Sequence, residues 1–412
     1  MTLEKSVKSN NLKSSSILRF YGHLSLRQRL LLSTISGKTI AVDKIRPADV
    51  NSIDDQTPGL ADYEISFLRL LEKITNGSAV EISYTGTSLI YRPGVIIGGK
   101  IHHDCPNSRA IGYFLEPLVA LAPFAKNPLN IVLTGITNDN VDPSVDTLRT
   151  VLLPQLKRYG IEDSLELKIT KRGAFPLGGG EVFFRCPTIK NLKPIQLVDP
   201  GRIKRIRGIA YATRISPQMA NRVVEAAKGI LNRYIPDVYI YTDIYKGAES
   251  GKSPGYALTL VGESTNGCLL SAECSYRPRK LITMEDEKDA NDVKTIELKT
   301  TTKPESLLQN DYTFPTPEDL GIRAARLLLQ EIKKGGCIDT TNQWLAVLFA
   351  ALGPEDVSKI RIGGLSNFTV HYLRDIKKFL GVTFNVKPDL ETHTVLLSCL
   401  GIGYSNLNKK VN

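Results

Sequence analysis

One arrangement occurs three times along this chain: an amphipathic stretch at helical spacing, a glycine that stops it, and two β-rich runs. The first stretch covers residues 61–75, with Ile65, Leu68, Leu70, Leu71 and Ile74 apolar. Gly77 ends it, and Val80–Tyr84 and Ser88–Tyr91 read as strands. The second covers Ser144–Arg158, with Val145, Leu148, Val151, Leu152 and Leu156 apolar. Gly160 ends it, before strands at Leu165–Ile169 and Glu181–Arg185. The third covers Asn367–Leu380, with Val370, Leu373, Ile376 and Phe379 apolar. Gly381 ends it, before strands at Val382–Val386 and Thr394–Cys399. Apolar spacing near 3.6, a C-terminal glycine and β-branched runs predict helix followed by sheet. Each helix must bury its apolar stripe on a sheet face, so three units predict a large domain of repeated α/β modules.

Between the second and third units, residues 194–334 follow a different order. A basic alternating strand (Arg202, Ile203, Lys204, Arg205, Ile206, Arg207) precedes a helix with Ser216 at the N-cap and Pro217 at N1, running to about Tyr234. Strands at Asp237–Tyr245, Ala257–Val261 and Leu269–Ser275 lead to a second helix that starts at Thr316-Pro317-Glu318-Asp319 and ends before Gly335. The fold class is therefore α/β: three repeated modules at 17–193 and 335–412, with a smaller α/β domain inserted at 194–334. Residues 1–16 are polar and predict a disordered extension. Residues 284–303 are charged and poor in large apolar side chains, and predict a mobile loop.

Composition narrows the class of function. Hydrophobic residues make up 42% of the chain and charged residues 23%, as in water-soluble globular proteins. No run approaches the ~20 apolar residues of a membrane span, so no membrane role is expected. A formal charge of +11 favours a polyanionic partner, with RNA first among them. The six cysteines contain no C-x-x-C pair, so neither a zinc site nor a redox motif is indicated; they read as reduced thiols of the cytosol or nucleus. His102-His103-Asp104-Cys105 has metal-ligand residue types, but neighbours on an extended segment point to opposite sides. No metal site is expected there.

The string Arg172-Gly173-Ala174-Phe175-Pro176-Leu177-Gly178-Gly179-Gly180-Glu181-Val182 runs into an apolar strand. Three consecutive glycines allow positive φ and close backbone approach. Arg172 with Gly178, Gly179 and Gly180 could hold an anion through backbone N–H groups and a guanidinium. The other reading is that the glycines let strand and helix pack. Arg46 and Arg92 precede turns and either line the same pocket or are surface charges. On the third helix, Arg374, Lys377 and Lys378 stand at i, i+3 and i+4 and share a face suited to phosphate. Asp375 among these cations admits an acid/base reading, in which a 2'-hydroxyl attacks the adjacent phosphate without metal. The alternative is a solvated helix face with internal ion pairs. The 202–207 strand and Tyr276-Arg277-Pro278-Arg279-Lys280 are further RNA or partner candidates.

The glycine string as a whole resembles the signature of the RNA 3'-terminal phosphate cyclase family. Pro58-Gly59-Leu60, Tyr91-Arg92-Pro93-Gly94 and Gly135-Ile136-Thr137-Asn138-Asp139 resemble further landmarks of that family, over residues 17–400. The resemblance implies a large domain of three repeats with a smaller insertion. It also implies chemistry in which ATP and a divalent metal serve a histidine nucleophile that becomes adenylated. The histidine's place, counted back from Lys378-Phe379-Leu380, holds Phe368. Phenylalanine offers no nucleophilic atom. His371 lies about one helical turn, ~5 Å, further on. The family's glycine-rich N-terminal loop corresponds to Phe20-Tyr21-Gly22-His23-Leu24-Ser25-Leu26-Arg27. Gly22 and Arg27 fit, but the acid and flanking glycines are gone. The family's Asp-Gln pair reads Asn342-Gln343. Loss of the carboxylates removes oxygen ligands that a hard cation needs, so neither metal nor cofactor is expected.

This combination resembles the branch of the family that serves eukaryotic small-subunit ribosome biogenesis. The resemblance implies a nuclear, nucleolar protein of the small-subunit processome. Its partners would be a large GTPase, pre-rRNA and the small nucleolar ribonucleoprotein, and its role the maturation of 18S rRNA. Three readings follow: a non-catalytic assembly factor, an endoribonuclease using Arg374, Asp375 and Lys377, or an active ATP-dependent cyclase.

Overall fold

The computed structural model describes residues 17–47, 58–277 and 316–409. The expected extension at 1–16, the charged loop at 284–303, and Pro278, Arg279 and Lys280 lie outside the described residues.

Three β-α-β-α-β-β modules share one topology. The first contains β1 (Leu18–Tyr21), α1 (Leu26–Ser36), β2 (Ile40–Asp43), α2 (Asp62–Ile74), a short β3 (Thr75–Asn76), β4 (Ala79–Ile82) and β5 (Leu89–Arg92). A ribbon of β3 with β6 (Val95–Ile96) leads to the second module. That module has β7 (Gly99–Asp104), α3 (Ile111–Leu121), β8 (Leu129–Gly135), α4 (Val145–Thr147), α5 (Leu153–Arg158), β9 (Glu166–Lys171) and β10 (Gly180–Cys186). A π-turn at Leu148–Leu152 joins α4 to α5. The third module opens with β11 (Gln196–Leu197) and is then interrupted. It resumes with α8 (Gln343–Leu352), β16 (Val357–Ile362), α9 (Asn367–Leu380), β17 (Asn385–Asp389) and β18 (Thr394–Leu400). The sheet orders are β1-β2-β5-β4, β7-β8-β10-β9 and β11-β16-β18-β17. In each, the first two strands are parallel and the remaining pairs antiparallel.

The interruption is the inserted domain: β12 (Ile203–Thr213), α6 (Pro217–Leu231), β13 (Val238–Tyr245), β14 (Gly255–Ser264), β15 (Leu269–Ser275) and α7 (Pro317–Lys334). Its sheet runs β13-β12-β14-β15. The sequence boundary at residue 194 leaves Gln196–Leu197 inside the insertion. Their parallel pairing with Lys359–Ile360 puts them in the third module instead. A strand of two residues carries no period to read. Likewise β17 starts at Asn385 rather than at 382, because Val382 turns into the core directly after the helix.

Local chemistry explains the helix ends. The Ser366 hydroxyl accepts from the Thr369 N–H at 3.0 Å and starts α9, and Gly381 at φ 76° ends it. Thr316 caps α7, whose first turn is acidic and last turn basic, as the helix dipole favours. The α1, α3 and α8 helices escaped the sequence reading for a physical reason. Every residue of α3 and of α8 is buried, so neither has a polar face to set up a 3.6-residue alternation.

One hydrophobic core runs through all three modules, and a second lies between the inserted sheet and its helices α6 and α7. The modules are fastened by cross-module pairs. Phe349 of α8 meets Phe124 and Tyr159 of the second module edge-on, at 6.1 and 5.0 Å between centroids. Arg27 of α1 donates to the Tyr113 carbonyl at 2.7 Å and pairs with the buried Glu116 of α3.

Candidate functional site

The glycine string connects β9 to β10 and abuts the inserted domain. Arg172 has no solvent exposure. Its Nη2 donates to Asp146 Oδ1 at 2.8 Å and its Nη1 to Asn138 Oδ1 at 3.1 Å; a further contact reaches Asp243 Oδ2 of β13 at 3.3 Å. The guanidinium also lies 4.6 Å from the centre of the Tyr211 ring. Burial alone would raise the Asp146 pKa, but Arg172 more than offsets it and holds the carboxylate below its ordinary value. Arg172 is therefore spent inside the protein, with its charge already neutralised.

The glycines have equally crowded surroundings. Gly178 and Gly179 adopt φ of 60° and 79°, where side chains are strained. A Cβ on Gly180 would fall 2.6 Å from the Gly173 nitrogen and 2.9 Å from the Gly135 oxygen. A Cβ on Gly251 would fall 2.4 Å from the Gly178 oxygen. The Lys252 N–H donates to that Gly178 oxygen at 2.9 Å, and the Gly251 N–H to the Arg172 carbonyl. Gly179 and Gly251 allow the backbones of the second module and the insertion to meet, and Gly180 allows close packing within the second module. Of the two readings of the string, the geometry carries the packing one.

Arg46 and Arg92 do not join Arg172. Arg46 grips Glu64 with both terminal nitrogens, at 2.7 and 3.0 Å, and also donates to the Gly59 carbonyl and the Tyr63 hydroxyl. Arg92 pairs with Glu81 on the surface, across β4 and β5. All these partners belong to the first module.

Phe368 sits in the first turn of α9, 37% exposed, with its ring stacked on Tyr372 at 6.0 Å. His371 is exposed on the next turn. Asn342 is buried just before α8 and donates through Nδ2 to Asp339 at 2.7 Å. Its neighbour Gln343 accepts from the Thr369 hydroxyl at 2.8 Å, which brings this pair close to the start of α9. Phe20 lies elsewhere. It is buried, stacks on Phe379 at 5.5 Å, and carries Arg29 and Lys378 over its ring at 4.6 and 5.1 Å. From residue 368 to 379 a helix rises about 16 Å. The structure thus brings Asn342 near Phe368 and leaves Phe20 at the other end of α9.

The basic helix does not assemble an acid/base pair. Arg374, Lys377 and Lys378 are exposed, as the spacing predicts. Asp375 is only 5% exposed and faces α1, where Arg29 Nε donates to its Oδ2 at 3.2 Å. The cations meet solvent while the carboxylate meets the core. The His102–Asp104 segment alternates as expected: His103 is buried against the Ser66 hydroxyl at 2.9 Å, and burial lowers its pKa to about 4, while His102 and Asp104 are exposed. Among the described residues no helix is long and apolar enough to cross a membrane.

A model of the RNA 3'-terminal phosphate cyclase family matches residues 18–386. The chain belongs to this family. It is 53% identical over 392 residues to a probable RNA 3'-terminal phosphate cyclase-like protein of Dictyostelium discoideum, covering 95% of this chain and 99% of that one. It is 52% identical over 399 residues to the RNA 3'-terminal phosphate cyclase-like protein of Homo sapiens, covering 95% and 97%. It is 46% identical over 405 residues to the rRNA processing protein rcl1 of Schizosaccharomyces pombe, covering 97% and 100%.

Within this cyclase family member, sequence reasoning missed two features. One is the Asp146–Arg172–Asp243 chain of charges that fastens the insertion to the second module. Nothing local marks it, since its members are 26 and 71 residues apart. The other is a pair of bare tyrosines, Tyr239 and Tyr241, on the inserted sheet. Their signal was present as Tyr-Ile-Tyr within a strand, where side chains two apart share a face.

Proposed function

We propose that this protein is a catalytically degenerate member of the cyclase family that acts in rRNA processing. In this reading it works in the nucleolus within the small-subunit processome. It binds pre-rRNA and a large GTPase partner there, and contributes to 18S rRNA maturation. The observation that carries the reading is Phe368. An apolar ring occupies the exposed first turn of α9, at the position where the family resemblance calls for a histidine nucleophile. The loop that starts at Phe20, which lacks the family's acid, and Asn342, which stands where the family has Asp, support it, because neither offers a charge to a metal ion. The rRNA processing role is supported by the name of the Schizosaccharomyces pombe relative, and the choice of RNA as ligand by the charge of +11.

The endoribonuclease reading is weakened by Asp375, whose carboxylate is held by Arg29 rather than presented beside Arg374 and Lys377. One experiment separates the readings. The purified protein is incubated with α-labelled ATP, magnesium or manganese, and a 3'-phosphorylated RNA; protein adenylation, terminus cyclisation and internal cleavage are scored together. The expected result is none of the three products, with RNA still bound. An adenylate or a cyclised end would make the chain an active cyclase, and internal cleavage would make it a nuclease.

A further inference from the structure

The inserted domain covers only one face of its sheet with helices. Ile206, Ala210, Ile240, Leu258 and Leu260 point to α6 and α7 and form the second core. The opposite face carries the alternate residues. At one end of that face the second module closes it: Arg172 lies over the Tyr211 and Tyr245 rings, and the Glu273 carboxylate accepts from the Ser144 N–H and the Thr147 hydroxyl. At the other end the face stays open as a cleft of about 500 Å³, with Arg149 and Thr150 of the π-turn among its lining residues.

Two aromatic rings stand in this cleft. Tyr239 and Tyr241 are neighbours on the same face of edge strand β13, 55% and 62% exposed, with ring centres 5.7 Å apart. Cross-strand register sets Arg207 beside Tyr239 and Ile209 beside Tyr241. Lys204 and Arg205 continue the cationic edge along β12, and both pair with Glu263, while Arg207 pairs with Asp237. Arg149 also pairs with Asp146, at 3.3 Å. The cationic side chains are 36–41% exposed, and ion pairs at a surface are weak enough for a phosphate to displace. Exposed rings on a four-stranded sheet, bordered by arginine and lysine, are chemistry for unstacked bases and their backbone. A duplex cannot use the rings, because its bases are already stacked on one another.

We propose that the open end of this sheet is a single-stranded RNA platform, with one base stacked on each of Tyr239 and Tyr241 and the backbone following Lys204, Arg205, Arg207 and Arg149. The site deepens the RNA-binding part of the function proposed above and rests on it. It is distinct from the glycine string and from α9.

The test is fluorescence anisotropy of the full chain with a 5'-labelled single-stranded oligouridine at fixed salt, and with an RNA duplex of the same length. Y239A/Y241A should weaken single-strand binding at least ~10-fold and leave duplex binding unchanged. Y239F/Y241F should bind like the parent, since stacking needs the ring and not the hydroxyl. R207A should weaken binding and lower the salt slope by about one. Thermal unfolding controls for folding, which exposed side chains should barely affect. If the parent binds single strands and Y239A/Y241A binds equally well, the platform is refuted while RNA binding stands. Such an outcome leaves the cleft to a protein segment. If the parent binds no RNA, the platform and the RNA-binding part of the proposed function fail together.

Discussion

Arg172 and Asp146 form a fully buried ion pair, the guanidinium donating to the carboxylate at 2.8 Å through Nη2 and again through Nη1. Removing Arg172 leaves the buried Asp146 carboxylate with only the Asn138 amide at 3.1 Å and the Arg149 guanidinium at 3.3 Å. R172M should destabilise the protein by about 3–5 kcal/mol, read as a drop in urea midpoint. An arginine kept for an external anion would behave differently, losing ligand affinity with little change in midpoint.

The glycine string gives a second prediction. G180A pushes a methyl group against the Gly173 nitrogen and the Thr137 methyl, at 2.6 and 2.8 Å. Neither neighbour is a flexible tip, so β10 must shift against the Gly173 turn and the end of β8 within the second module. A loss of about 1–3 kcal/mol is expected, measurable as a lowered thermal midpoint.

Phe368 permits a gain-of-function test. F368H places an imidazole at the start of α9, while Asn342 and the loop beginning at Phe20 supply no carboxylate. No labelled adenylate should accumulate on F368H with ATP and magnesium. If one forms, the nucleotide pocket has survived the other two changes and only the nucleophile was missing.

Asp375 separates structural from chemical roles. D375A strips Arg29 of its partner at the contact between α1 and α9 and should cost about 3 kcal/mol of stability. K377A removes an exposed cation and should shift the midpoint by less than about 0.5 kcal/mol. A nuclease centred on this helix would instead lose cleavage in both variants, with K377A fully folded.

Glu273 predicts a pH dependence. Burial raises its pKa from 4.5 to about 7, against the opposing effect of its hydrogen bonds from Ser144 and Thr147. Between these values the folded state keeps a proton that the unfolded state has released. Stability from this group is therefore fully present below about pH 4.5 and falls as pH rises toward 7, by roughly 3 kcal/mol. E273Q carries no titration, and its amide oxygen can still accept from Ser144. The variant should flatten the stability curve in that window, as followed by urea unfolding across pH.

Much of the fold was legible because half of each module advertises itself. The α9 helix matches its sequence range at both ends, since Ser366 and Gly381 punctuate an amphipathic run. The other half is silent for the reason that α8 illustrates. A helix apolar on every side shows burial but no period, and a strand such as Gln196–Leu197 is too short to show anything. The candidate site was less legible than the fold. Arg172 reads as an exposed anion ligand when only its neighbours in sequence are considered, and Asp375 reads as one of a charged trio.

By itself the sequence determined the modular α/β class, the inserted domain and the family resemblance, and it led to the expectation that Phe368 stands at the nucleophile's position. These depend on residue type and spacing along the chain. The tertiary structure decided which charges remain free. Arg172, Arg46 and Asp375 are held by partners up to 346 residues away at buried contacts, while Arg207, paired only with the exposed Asp237, and the two tyrosines face an open cleft. A charge is available to a ligand only if folding leaves it at the surface, where a phosphate can displace its partner, and that burial is set by contacts that no local pattern records.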